Sequence, residues 1–522
     1  MAVLVGRLPF RVGGVGAGPH PSRLLLGAAL TVAAWSALPL AAIVIAWLQV
    51  GPSGLASLLL RPRIGDLLGN TLALVGLTVP LCVVIGVAAA WIVERTAMPG
   101  RRVVAVLFVV PLAIPAFVNS YAWVSAVPSL SGLGAGVLIA TLSYYPFVYL
   151  PVAATLRRID PALEEAGAAL GLGPAATFRR VILPQLRLPI LGGALLIGLH
   201  LLAEYGAFAM VRFETFTTAI MTQYRASFGG PVAYALAGVL VACCLVLLAA
   251  ESAARGRVRY ARIGSGAARQ APRSRSSRVL AVAFLASAAL LVLALGVPAW
   301  SLVRWSIAAG ASAWSEQWIV PAAIGSVGLG LVAAIACGVA ALPVALLGVR
   351  FPSGTSRLLE GIQYVASSLP GIAVALVLVT VAVGVARPVY QTVPLLLGAY
   401  ALLFLPRALV SQRAGLAQVP VGLEEAARSL GVAPARAFLR VTGRIALPAV
   451  VTGGALVFLG VVNELTATLL LAPNGARTLA MQFWTHTNDL DYGQAAPFAV
   501  LMVLVSLPVT LLLFRSSRLA RD

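Results

Sequence analysis

Long apolar runs, separated by short polar breaks, recur from one end of the chain to the other. Twelve of them cover roughly 24–49, 70–93, 103–127, 134–156, 189–211, 231–252, 279–303, 320–347, 358–386, 392–413, 449–471 and 496–514. Each is near or above the ~20 apolar residues that carry a helix across the hydrocarbon core. Inside lipid every backbone N–H and C=O must be paired within the protein, so these runs are expected as helices. A membrane barrel would show short alternating strands instead. The predicted fold is an all-α polytopic membrane protein with about twelve spans.

Charge adds an orientation. Only 10% of the 522 residues are charged and 60% are hydrophobic, which excludes an ordinary soluble domain. The 37 basic residues are all Arg, and the net charge of +21 would suit a nucleic-acid binder. Their placement argues against that partner. With the N-terminus placed in the cytoplasm, 30 of the 37 fall in cytoplasmic segments: 1–23, 94–102, 157–187, 255–278, 350–357, 407–444 and 515–521. This is the positive-inside asymmetry. It predicts both termini inside and explains the basic charge without nucleic acid. Anionic membrane lipid is the expected contact of these loops. The first run follows Arg7, Arg11 and Arg23 like a signal peptide, yet it is too long for one and is kept as a span.

Little else suggests chemistry. Cys82, Cys243, Cys244 and Cys337 all lie in apolar runs without a paired spacing and read as small hydrophobes. His20, His200 and His486 are scattered and form no ligand cluster. No stably bound metal, no cofactor and no catalytic residue is expected.

The chain repeats itself. Residues 163–181 read LEEAGAALGLGPAATFRRV and residues 423–441 read LEEAARSLGVAPARAFLRV. A shift of 260 carries Glu164 to Glu424, Gly171 to Gly431, Pro174 to Pro434 and Phe178 to Phe438. It also carries Pro146 to Pro406 before the loop and Glu204 to Glu464 after it. Further upstream, Ile114-Pro115 resembles Leu369-Pro370 at a shift of 255, so one short deletion intervenes. Two halves follow: 1–252 with its loop at 157–188, and 279–522 with its loop at 414–448. A polar linker rich in Arg, Ser, Gly and Ala joins them over 253–278. Six spans per half give both halves one orientation, related by a pseudo-two-fold axis along the membrane normal.

Each loop reads as helix–turn–helix. Asp160 suits an N-cap and Pro161 the first helical position. Glu164 and Glu165 fall near the first turn, where the helix dipole favours negative charge. Leu163 and Leu170 share a face. Gly171 suits the left-handed position that ends a helix, and Pro174 opens a second short helix carrying Phe178 and Val181. Loops diverge faster than the spans they join, yet here the loops match best, which points to a docking surface used twice.

Glu165, Ala166, Leu170, Gly171, Phe178, Val181 and Leu183-Pro184 resemble the EAA loop of permease subunits of type I ABC importers, as do Glu425, Ala426, Ala427, Leu430, Gly431, Phe438 and Val441. Gly167 departs from the second Ala of that pattern, and Leu447-Pro448 is displaced. The resemblance covers nearly the whole chain as two fused permease halves of six helices each in the type I importer fold. It implies two copies of a separate ABC ATPase docked on the two loops through Glu164, Glu165, Ala166, Leu170, Gly171 and Phe178, and through Glu424, Glu425, Ala426, Leu430, Gly431 and Phe438. It also implies an extracytoplasmic substrate-binding protein and a place in the bacterial inner membrane. A phosphate-cradling Walker A loop needs Lys and the chain has none, so ATP hydrolysis by that route belongs to another chain.

The stretches 203–224 and 463–484 resemble the ferric-iron branch of fused permeases. Thiamine permeases of similar length, or permeases for another small solute, are the alternative, and a proton-driven secondary transporter is a further one. Glu204 and Glu464, with neighbouring Tyr205 and Asn463, are the pathway candidates, because hard cations prefer oxygen ligands and intramembrane acids mark pathways. The plainer reading gives each Glu to Arg212, a backbone end or a gate residue. Asn119, Ser120 and Tyr121 after Pro115, and Ser367 and Ser368 before Pro370, read as local kinks rather than cavity linings.

Overall fold

A computed structural model describes residues 21–227, 231–255 and 273–519. The basic stretches 1–20 and 256–272, which carry part of the charge asymmetry and most of the linker, lie outside them. The described chain is helical from end to end, with one isolated parallel bridge between Thr96 and Ser274. Among the described residues ten helices are long and apolar enough to cross a membrane, and twelve spans result if each of two sharply bent pairs counts as one.

Those bent pairs are the third apolar run of each half. Helix Arg101–Ala113 meets Ala116–Ala126 at 94°, and Gly354–Ala366 meets Gly371–Val385 at 103°. Pro115 and Pro370 sit at the two bends, with ψ of 144° and 142°. Proline lacks the N–H an uninterrupted helix needs and pushes the residue before it out of the helical region. Ile114, with φ −99° and ψ 113°, is in that extended region. Two spans read as continuous are therefore broken.

The fifth spans also end earlier than their apolar runs. Their helices close at Ala203 and Val462. Glu204 and Asn463 then leave helical geometry, and short helices Gly206–Met210 and Thr466–Leu471 follow. The reason is the acid itself, whose carboxylate satisfies the N–H groups that a new helix start exposes.

Within each half the second, fourth and fifth spans pack into a three-helix unit: Pro62–Arg95, Gly132–Leu156 and Pro174–Ala203 in the first, Ile319–Arg350, Val393–Leu416 and Pro434–Val462 in the second. Small residues allow the close approach, as expected where lipid gives no hydrophobic drive to helix association. A Cβ on Gly193 would lie 2.8 Å from Phe147 O, and one on Gly453 would lie 3.2 Å from the backbone of Ala408.

The first span of each half packs beside its own sixth span and against the broken span of the other half. Helix Arg23–Leu59 reaches the second half, where Trp35 Nε1 donates to Gly398 O at 3.1 Å and Ser36 Oγ donates to buried Gln363 at 2.7 Å. Helix Val297–Trp314 reaches the first half, where Ser301 and Ser125 share a buried hydrogen bond of 2.8 Å. Tyr121 OH adds a 2.6 Å bond to Tyr492 O across the halves. The core around the second limbs of the broken spans is shared by both halves, and helix Gly371–Val385 is buried along most of its length.

Candidate functional site

The two repeated loops fold alike. Helix Pro161–Ala169 is matched by Val421–Ser429, and Pro174–Thr177 by Pro434–Ala437. Asp160 caps the first copy, its Oδ1 accepting from Ala162 N at 3.0 Å. Pro420 stands at that position in the second copy, so the side-chain cap is not duplicated. Gly171 and Gly431 have φ of 80° and 82°, the left-handed geometry expected after a helix end. Leu172 N then bonds to Gly167 O at 3.0 Å, and Val432 N to Ala427 O at 3.1 Å. A wide π turn follows in each copy, Phe178–Ile182 and Phe438–Gly443, and runs into the fifth span.

The first helix of each repeated loop has two unlike faces. The outer face carries Glu165, Ala166 and Leu170, and Glu425, Ala426 and Leu430, all exposed. Leu170 and Leu430 are 83% and 84% exposed, although Leu is among the side chains most often buried. Leu163 and Leu423 extend that face at 40% and 46% exposed. The inner face is fastened to the permease. Arg95, nearly buried at the end of the second span, places Nη2 2.7 Å from Glu164 Oε1. Arg350, at the matching place in the second half, places Nη2 2.7 Å from Glu424 Oε1. Thr442 adds its hydroxyl to Glu424, whereas Ile182 occupies the matching position in the first half. Phe178 is half-buried edge-on to Trp91 of the second span, with ring centres 5.2 Å apart. Neither Arg was singled out from sequence, although the shift of 255 that relates the two prolines also relates Arg95 to Arg350.

The four pathway candidates lie at the breaks after the fifth spans. Glu204 Oε1 accepts from Ala207 N at 2.9 Å, and Glu464 Oε1 from Ala467 N at 2.8 Å. Both acids therefore cap the short helix that follows, the backbone-end alternative, and Arg212 is not their partner among the described bonds. Tyr144 OH donates to Glu204 Oε2 at 2.9 Å. Its counterpart in the second half is Phe404, which stacks under the Arg407 guanidinium at 4.8 Å. His200 and Phe147 pack with ring centres 4.6 Å apart in the first half, while Gly460 and Arg407 take those positions in the second. Tyr205 is buried against Trp484 of the other half, centres 5.3 Å apart, and Asn463 Oδ1 accepts from Ser506 at 3.1 Å.

The breaks of the two halves meet. A Cβ on Gly206 would lie 2.9 Å from Leu465 Cδ2, so residues beside Glu204 and Glu464 touch across the interface. Both residues are half-buried, and each has one carboxyl oxygen bound to backbone. Asn119 and Ser120 are buried and bonded to Ser143 at 2.8 Å and Ala207 O at 3.2 Å, which suits packing of the kink. Among the described residues no cluster of three or more His, Cys, Asp or Glu is arranged to hold a metal ion. The four cysteines are free.

Two parallel half-units, broken third spans and a duplicated exposed loop define a transport permease, and the family model for binding-protein-dependent transport system inner membrane components matches twice, at residues 83–260 and 330–520. The chain belongs to that family and is a fused permease of the ABC importer class. It is 35% identical over 490 residues to the Fe(3+)-transport system permease protein FbpB 2 of Haemophilus influenzae, an alignment covering 91% of this chain and 95% of that one. The sulfate transport system permease protein CysT of Salmonella typhimurium is 32% identical over 187 residues, 32% of this chain and 67% of its own. A probable molybdenum ABC transporter permease protein of Haloferax volcanii is 27% identical over 228 residues, 40% of this chain and 83% of its own.

Proposed function

We propose that this permease carries ferric iron inward, delivered by an extracytoplasmic binding protein and driven by two copies of a separate ATPase docked on helices Pro161–Ala169 and Val421–Ser429. The carrying observation is the duplicated docking helix with its outward-facing leucine, Leu170 in one copy and Leu430 in the other. A secondary transporter driven by protons has no use for two such matched surfaces. Iron as cargo is supported by the full-length relative named for Fe(3+) transport, whereas the sulfate and molybdenum permeases align over a third to two-fifths of the chain. The half-buried carboxylates of Glu204 and Glu464 offer the oxygen donors that a hard cation prefers.

On this reading the outer faces, through Glu165, Ala166, Leu170 and Gly171 and through Glu425, Ala426, Leu430 and Gly431, meet the ATPase. Glu164, Phe178, Glu424 and Phe438 hold each helix from behind. Both loops and both termini are cytoplasmic, as the Arg asymmetry favours. ATP-driven closure of the ATPase pair draws the docking helices together. Each three-helix unit then moves with its loop and changes which side of the interface near Glu204 and Glu464 is open.

Reconstitution in proteoliposomes with the cognate ATPase and binding protein tests this. ATP-dependent uptake of ferric ion is expected, with thiamine not transported. Uptake sustained by a proton gradient without ATP, or thiamine carried in place of iron, would refute the proposal.

A further inference from the structure

The geometry points to Arg95 and Arg350 as positioning residues that transmit docking-helix movement to the second spans and the broken third spans. This rests on the reading of Pro161–Ala169 and Val421–Ser429 as ATPase-docking helices. Each loop is covalently continuous with the fourth and fifth spans, so those two follow it without any further device. The second span has no such continuity. Its attachment to the docking helix is the ion pair, 2.7 Å in both halves.

Duplication separates this contact from ordinary surface pairing. Glu94 pairs with Arg157 at 3.2 Å in the first half, but Val349 and Ala417 occupy those positions in the second. Arg413 pairs with Glu360 in the second half alone. Of the ion pairs at this end of the molecule, only the Arg95–Glu164 and Arg350–Glu424 pairs occur in both halves among the described residues.

Burial gives the pairs stiffness. Arg95 and Glu164 are 4% and 24% exposed, and Arg350 and Glu424 are 14% and 23% exposed. Exposed ion pairs contribute little, whereas breaking a shielded one leaves a charge uncompensated. Arg95 is held further by Leu156 O at 3.4 Å and by the Trp91 ring at 5.9 Å. Trp91 in turn meets Phe178 from the loop, so first-half loop, second span and fourth-span end form one connected block.

What lies just beyond the pin explains its use. Five residues after Arg95 the chain turns at Gly100 into Arg101–Ala113, the first limb of the broken span. Three residues after Arg350 the Ser353–Ser356 capping box starts Gly354–Ala366, its counterpart. The second limbs of these spans, Ala116–Ala126 and Gly371–Val385, pack against the short helices that Glu204 and Glu464 cap. A displacement of the docking helix thus reaches the interface along a second route that bypasses the fifth span.

The test uses the whole complex in proteoliposomes, with ferric ion presented by the cognate binding protein, and reads ions moved per ATP hydrolysed. Arg95→Gln with Arg350→Gln is expected to keep the ATPase bound while that ratio falls about fivefold or more, the range of an allosteric coupling. Arg350→Lys, which keeps the charge, should retain most of the ratio that Arg350→Gln loses. Adding Glu424→Gln to Arg350→Gln should cost no further coupling, because the two act as one contact. An unchanged ratio in the double Arg variant overturns the inference, and so does full additivity of the Arg350 and Glu424 losses. Failure of the wild-type loops to bind ATPase at all would instead overturn the docking reading.

Discussion

Replacing Leu170 and Leu430 together by Ser tests the docking surface most directly. Both side chains are more than four-fifths exposed, 83% and 84%, so the isolated permease loses almost nothing when they are cut back. Its thermal midpoint should stay within about 1 °C, since exposed substitutions away from special contacts change stability by about 0.5 kcal/mol or less. The complex has much more to lose. Burying a Leu fully in a partner groove contributes about 1.5–3 kcal/mol, which is about 10- to 150-fold in affinity at each loop. The single variants should therefore weaken ATPase binding by that factor for one site and leave the other intact. The double variant should abolish co-purification at micromolar concentrations. Titration of labelled ATPase onto the permease in nanodiscs reads both stages. A double variant that binds ATPase within about threefold of wild type would refute the assignment of this face.

Other outcomes follow from the same structure. Glu204→Gln with Glu464→Gln keeps both helix caps hydrogen-bonded but removes both acids, so ferric uptake should fall at least about tenfold while ATPase binding persists; unchanged uptake would remove these acids from the pathway. Ser125→Val leaves the buried Ser301 hydroxyl without its partner and should destabilise the folded chain by about 1–3 kcal/mol, whereas Ser125→Ala with Ser301→Ala should be nearly neutral, as thermal unfolding in detergent would show. Gly398→Val should cost about 1–3 kcal/mol, because even its Cβ would lie 2.8 Å from Trp35 Cζ2, and Trp35 fluorescence should report the loss of its bond to Gly398 O. Asp160→Ala should weaken helix Pro161–Ala169 by about 1 kcal/mol, seen as faster amide exchange there; Pro420 at the matching position offers no side-chain cap for a parallel loss.

Much of this architecture was legible in the sequence because lipid imposes a simple rule. Twelve apolar runs gave ten unbroken spans and two bent ones, and the 260-residue repeat located both loop helices with their glycine turns. The misjudged places were those where apolarity conceals geometry. Runs 103–127 and 358–386 stay apolar through Pro115 and Pro370, so hydropathy passes over bends of 94° and 103°. Runs 189–211 and 449–471 likewise hide the ends of the fifth helices at Ala203 and Val462. The Arg95–Glu164 pair joins residues 69 positions apart and left no periodic trace. At the two acids, sequence raised both a pathway and a helix-end reading, and the backbone bonds to Ala207 and Ala467 supply the second without removing the first. Which apolar faces meet lipid and which meet the other half is not written in hydropathy at all, since both are equally greasy.

That last point bears on the crossed first spans. Ser36 donates to Gln363 Oε1, and Ser301 pairs with Ser125, in each case across the two halves. A half inserted alone would leave Ser36, or Gln363 and Ser301, in an apolar setting without the partner that each has in the whole chain. Neither half is then a finished membrane protein; each is a folding template for the other. Joining them in one polypeptide fixes their local concentration, so the second half meets its template as soon as it is inserted rather than after a search in the bilayer plane. Fusion here acts on assembly: it makes the combination of unlike halves, one with Tyr144 and His200 and the other with Phe404 and Gly460, certain in every molecule, and so allows the two sides of the interface to differ chemically without the risk of assembling two copies of the same side.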